Sequence, residues 1–267
     1  MGKFFSVDFN PDIVDGDISE ANGADIGGGD ILFDWNAIDI PKGGSLLKSV
    51  TAYANAEDGA YAAGSLTDIE LVFARSVNGV APPTMGATNA LQTGCGALRH
   101  HWVGAVRLES TSAVGTLSKL TFGVGYITAT TSNGDDGGSG NSLPLVIDLE
   151  PDSGTNVGYD KLYVAAFQVS TRNWGTAVLL NLAGGAALDA SATPVSEIAV
   201  DGVDARKIFS VGDQVYVHDL DTPIPGTLTK VEELLLTFSE TNSTVDIADG
   251  DELINANPIR FKFGFEK

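Results

Sequence analysis

From Ile259 to Glu266 apolar and polar residues alternate without a break: Ile259, Phe261, Phe263 and Phe265 against Arg260, Lys262, Gly264 and Glu266. Successive side chains on a strand point to opposite sides of the sheet. A repeat of two therefore marks a strand with one buried face and one wet face. The tract before it, from Val211 (Val-Gly-Asp-Gln-Val-Tyr-Val), has the same character of short apolar runs cut by Gly and Asp turns.

Most of the chain follows this rule. Phe33, Trp35 and Ala37 alternate with Asp34 and Asn36, and the phase then shifts to Ile38 and Ile40. A phase shift inside a strand predicts a β-bulge or a bend. Pro41-Lys-Gly-Gly44 reads as a turn. Val50–Ala54, Ile69–Phe73, Trp102–Leu108, Leu120–Tyr126 and Leu143–Leu149 read as further strands. Leu162–Val169 is apolar on both parities, as a central strand covered on both faces is. Residues 78–97 and 131–142 read as loops, the second of linker composition. No helical periodicity extends beyond two turns, with Val203–Phe209 the one candidate. Gly-[Ser/Thr]-Leu-x-Lys occurs at Gly44, Gly115 and Gly226, and reads as the way this chain leaves a turn and enters a strand.

These tracts divide the chain into three expected parts. Residues 1–30 form an arm, with Phe4, Phe5 and Phe9 as apolar anchors before an Asp/Gly-rich stretch. Such a segment either orders on a partner or tucks in as a first strand. Residues 31–187 form an antiparallel sandwich domain. Residues 188–267, with shorter strands, form a small β-barrel or meander.

Charge narrows the partners. The 15 basic against 35 acidic residues leave a net −20. That argues against a nucleic-acid backbone or an anionic membrane as partner. No apolar run reaches the length of a membrane span, and the acidic start, with Asp8, Asp12, Asp15 and Asp17, does not read as a signal peptide. Residues 1–60 carry three basic and eleven acidic residues, whereas residues 71–131 carry four basic and one acidic. Such asymmetry suits contacts between subunits.

Catalytic signatures are weak. Cys95 is the only cysteine, so no intrachain disulfide forms. His100 and His101 are adjacent, and adjacent residues on a strand point to opposite faces, so they do not chelate one metal within an extended strand. His100 is expected inside and His101 outside. The acids at Asp12, Asp15, Asp17 and Glu20, and at Asp249, Asp251 and Glu252, do not match a calcium loop and read as solvated turns. There is no Gly-x-Ser-x-Gly, no phosphate loop and no dinucleotide fingerprint. Trp35 and Trp102 sit in apolar alternations and are expected in the core. The expectation is a protein without catalytic residues, cofactor or metal.

Phe33-Asp-Trp-Asn-Ala-Ile-Asp-Ile-Pro-Lys-Gly-Gly44 and Ile69-Glu-Leu-Val-Phe-Ala-Arg75 resemble the opening strands of jelly-roll-like sandwiches in virion proteins of tailed, marine bacteriophages. Val211–Val217, Gly226–Val231 and Ile247–Ile259 resemble small barrels of the same class. The resemblance touches about half the chain and rests on fold and turn signatures. It implies an all-β chain, a jelly-roll-like sandwich followed by a small barrel, made in the host cytoplasm and mounted on the capsid surface. It further implies a decoration, cement or fibre-like role, a homotrimer, and the major capsid protein or another virion protein as partner. Phe4, Phe5 and Phe9 are the expected partner-binding residues. The alternative is a carbohydrate-binding or adhesive β module.

Overall fold

The computed structural model describes residues 2–13, 26–54, 68–93, 95–108, 113–117, 120–125, 143–150, 160–169, 171, 174, 177–179, 187–217 and 222–267. The chain is all-β. The strands of the first half are β1 (Phe4–Phe9), β2 (Ile31–Asp39), β3 (Ser45–Ala54), β4 (Ile69–Ala74), β5 (Trp102–Leu108), β6 (Ala113–Leu117), β7 (Leu120–Gly125) and β8 (Leu145–Ile147). They continue as β9 (Lys161–Gln168), β10 (Ala177–Leu179), β11 (Val195–Ala199), β12 (Val215–Val217), β13 (Thr222–Pro223) and β14 (Leu228–Val231). The last three are β15 (Leu235–Asn242), β16 (Glu252–Asn255) and β17 (Ile259–Glu266). Helix among the described residues is confined to two 3-10 turns, Cys95–His100 and Ala205–Lys207.

Two antiparallel sheets form a sandwich. One runs β1-β17-β3-β7-β6, with β8 also paired to β3; the other runs β2-β9-β4-β5. The inward residues of β17 explain why they face each other. Phe261, Phe263 and Phe265 are fully buried. The Phe33 ring of β2 lies 5.9 Å from Phe261, and the Phe73 ring of β4 meets Phe263 edge-on at 5.9 Å. Edge-on and tilted contacts set the electron-poor ring edge against the electron-rich face, which adds to the burial of large apolar surface. Val50 and Leu47 of β3, Leu162 and Val164 of β9, and Val106 of β5 complete this core.

The phase shift in β2 has its structural counterpart. Its pairing to β9 slips between Ile31 and Phe33 and again between Phe33 and Asn36. β9 lies between β2 and β4, and both its faces are covered. Leu162, Val164 and Ala166 enter the sandwich core. Ala165 joins a smaller cluster with Ile31, Val72, Met85 and Leu98 on the opposite side. That second cover is the segment read as a long loop. It is fastened to β2 by Asp34, which accepts hydrogen bonds from Met85 N at 3.1 Å and Thr84 Oγ1 at 2.5 Å.

The remaining strands form two sheets around a second core. One runs β10-β16-β12-β13 and the other β11-β15-β14. Ile198, Phe209, Val215, Leu228, Leu236 and Leu253 lie between them. Among the described residues neither sheet closes on itself, so where a small barrel or meander was expected there is a pair of open sheets.

Strand membership departs from the expected division in two places. Ile259–Glu266, placed by sequence in the last unit, pairs with both β1 and β3 in the sandwich. Ala177–Leu179, placed in the sandwich domain, pairs with β16 in the second unit. Alternation shows that a tract is a strand; it does not carry the name of a partner more than 200 residues away.

Candidate functional site

The three phenylalanines singled out in the sequence lie on β1, and alternation separates them. Phe5 and Phe9 point inward. Phe5 stacks on Phe265 with centroids 5.0 Å apart, and Phe9 meets Phe33 at 5.6 Å and Phe261 at 6.2 Å. Both pack against the sandwich core. Of the two readings of the arm, residues 4–9 follow the tucked first strand, and Phe5 and Phe9 are occupied within the chain. Phe4 alone faces out, at 74% exposure. Residues 10–30 were expected as an adaptable tether; of these, residues 14–25 lie outside the described residues.

Phe4 begins a row across the outer face of the six-stranded sheet. Phe4 is in register with Glu266, Glu266 with Leu46, and Leu46 with Val146. Register partners in antiparallel strands share a face, so these four side chains line up across β1, β17, β3 and β8. Leu46 is half-buried and Val146 is 64% exposed. The next row, Ser6–Gly264–Ser49, is low. A Cβ at Gly264 would stand 2.3 Å from Ser49 Oγ, so the sheet surface dips there.

Beside Leu46 and Val146 opens a groove of about 520 Å³, lined also by Ser45, Ile147, Glu266 and Lys267. Ser45 is 6% exposed, and its hydroxyl has no hydrogen-bond partner among the described residues. A buried hydroxyl left unpaired carries a desolvation penalty, and native proteins keep few of them. Lys267 lines the groove and Lys48 reaches it through Glu266. Lys48 pairs with Glu266 at 3.2 Å, Lys267 donates to the Lys42 carbonyl, and Lys3 and Lys267 exchange backbone hydrogen bonds. Asp148, also on the lining, pairs with Arg75 at 3.3 Å. Sequence reading passed over Leu46 and Val146 although a signal was present. Leu46-Leu47 and Leu145-Val-Ile147 put apolar residues on both parities of strands that have only one core face.

A polar junction ties the second unit to the sandwich. Asp213 is 1% exposed. Its carboxylate accepts from Ser210 N at 2.7 Å, from Asn255 Nδ2 at 2.9 Å and from the Arg260 guanidinium of β17. Burial pushes its carboxyl above the ordinary aspartate value, while Arg260 and these donors pull it down. Asn257 donates to the Pro11 carbonyl at 2.9 Å, and Ile13 N donates to Ala256 O at 3.0 Å, so the segment after β1 is held at the same junction.

The other sequence candidates are dispersed. His100 ends the first 3-10 turn and is exposed, and His101 is half-buried with Nδ1 2.9 Å from the Arg75 carbonyl oxygen. Their expected sides are reversed because β5 starts only at Trp102, so strand parity does not reach them. His218, the remaining histidine of the sequence, lies outside the described residues. Trp102, expected in the core, is 45% exposed, and Trp35 is half-buried with its indole N–H on the Pro83 carbonyl at 3.0 Å. Trp174 is the buried one, donating to Gln168 at 2.9 Å. Asp251 caps the turn at Gly250 by accepting from Ala248 N at 2.7 Å. Among the described residues no three His, Cys, Asp or Glu side chains gather as a metal site.

No protein-family model matches the chain, and no curated protein and no solved structure matches it.

Proposed function

We propose that the chain is a non-enzymatic structural protein of a virion, one that decorates or cements the capsid of a tailed phage. The observation that supports this reading is where the virion-like residues fall. Phe33–Gly44 takes in most of β2 and the turn after it, Ile69–Arg75 takes in β4, Val211–Val217, Gly226–Val231 and Ile247–Ile259 take in β12, β14 and β16 of the second unit, and Ile259 opens β17. The resemblance thus takes in strands of both units together with the turns that flank them. In this reading the chain sits on the capsid as a homotrimer, against the major capsid protein or another virion protein. Phe4 faces the capsid, because Phe5 and Phe9 are occupied inside.

Co-sedimentation with capsids stripped of the protein tests the reading. Saturable binding in a fixed ratio to the capsid subunits is expected, reduced at least tenfold by Phe4→Asp. Absence of binding to any head or tail assembly overturns it.

Exposed Trp102 favours a second reading, a carbohydrate-binding module, since sugars stack on exposed indoles. A sugar at about 100 times its dissociation constant adds roughly 2.7 kcal/mol to the folded state, visible as a raised melting temperature. No shift across a panel of glycans removes this reading.

A further inference from the structure

We infer that the groove beside Leu46 and Val146 binds the β14–β15 hairpin tip of a second copy of this chain, head to tail. The inference stands apart from the virion reading and does not depend on it.

Shape and polarity on the two sides match. The groove offers Leu46 and the 64% exposed Val146 as an apolar floor, in about 520 Å³. That volume falls within the range of roughly 300–1,000 Å³ typical of occupied pockets. The tip offers Leu234, 51% exposed between the end of β14 and the start of β15, preceded by Glu232 and Glu233. An apolar side chain at a hairpin tip is a compact plug, and its own copy leaves it open.

Charge selects the same pairing. Lys267 lines the groove and the backbone of Lys3 and Lys42 adjoins it; with Lys48 and Arg75, which pair with the lining carboxylates Glu266 and Asp148, five cationic residues meet two acidic ones there. The rim is thus basic in a chain of net charge −20. Residues 187–257, which carry the tip, hold fourteen acidic against three basic residues. Two basic rims repel each other, and so do two acidic units; a basic rim and an acidic unit attract. Glu232 and Glu233 are the acids beside Leu234, and their present partners, Lys230 and Arg206, are exposed.

Groove and tip are different surfaces of one chain, so the contact is heterologous. It closes into a ring where the rotation allows and otherwise runs on as a filament.

The test uses the full chain in sedimentation velocity over a concentration series at low and high salt. The wild type is expected to associate, more weakly as salt rises. Val146→Asp and Leu234→Asp are each expected to weaken association at least tenfold. Both positions are exposed, so unfolding curves should stay at wild type. Mixing the two variants is the decisive arm. One supplies an intact tip and the other an intact groove, so the mixture should form a one-to-one heterodimer that grows no further. A wild type that stays monomeric at millimolar concentration overturns the inference. So does association that survives either substitution, or a mixture that fails to pair.

Discussion

Among the described residues Asp213 is the one charged side chain that is buried. Its carboxylate is buried, and Arg260, 38% exposed, is the charge that answers it. Removing one member of such a pair strands the other. Arg260→Ala is expected to destabilise the fold by about 2–4 kcal/mol in urea unfolding. The pH dependence has a definite sign. The folded carboxyl lies above the unfolded value of 3.8, so the folded state holds the proton longer. What this group contributes is therefore fully present below pH 3.8 and falls as pH rises through the folded value. The stability of the wild type minus that of Asp213→Asn should decrease as pH is raised from 3.5 towards 7, and an increase would contradict the assignment. Gly226 is a second residue with little choice. Its φ is +78°, and an added Cβ would meet Ser239 Oγ at 2.6 Å and Glu240 N at 2.9 Å. Gly226→Ala should lower stability by about 1–3 kcal/mol, measured the same way.

At the scale of elements, β1 and β17 bind the two ends of the chain into one sheet. Phe9, half-buried among Phe33, Phe261 and Phe263, should cost about 2–3 kcal/mol as Phe9→Ala, less than the 3–5 of a fully buried phenylalanine. Phe4→Ala should stay within about 0.5 kcal/mol. Deleting residues 2–10 should lower the melting temperature markedly; an unchanged melting curve would show that β1 is dispensable. β17 also shows what was legible in advance. Its buried and exposed faces follow the alternation of Ile259, Phe261, Phe263 and Phe265 residue by residue. The central position of β9 was equally legible, because apolar residues on both parities need two covers. Partners were not, since pairing β17 with β1 depends on chain topology rather than on either strand's pattern. Trp102 misled because the β4–β5 register slips between Phe73 and Ala74: Trp102 pairs with Ala74, and Val103 packs against the core in its place. The groove was visible only as apolar doublets, which register later placed on one face.

The whole molecule is an acidic β assembly whose two cores are joined by β17, the Asp213–Arg260 pair and the segment after β1. Net charge −20 favours expansion through self-repulsion. Raising salt from about 10 to 500 mM shortens the screening length several-fold and should raise the melting temperature of the monomer. A fall would mean that attractive pairs outweigh repulsion. The virion role is tested most directly by electron cryomicroscopy of particles from a culture that makes the chain. The account predicts density for the sandwich and its second unit at symmetry-related positions on the capsid surface, with the Phe4 end towards the shell. Intact particles without that density would contradict it.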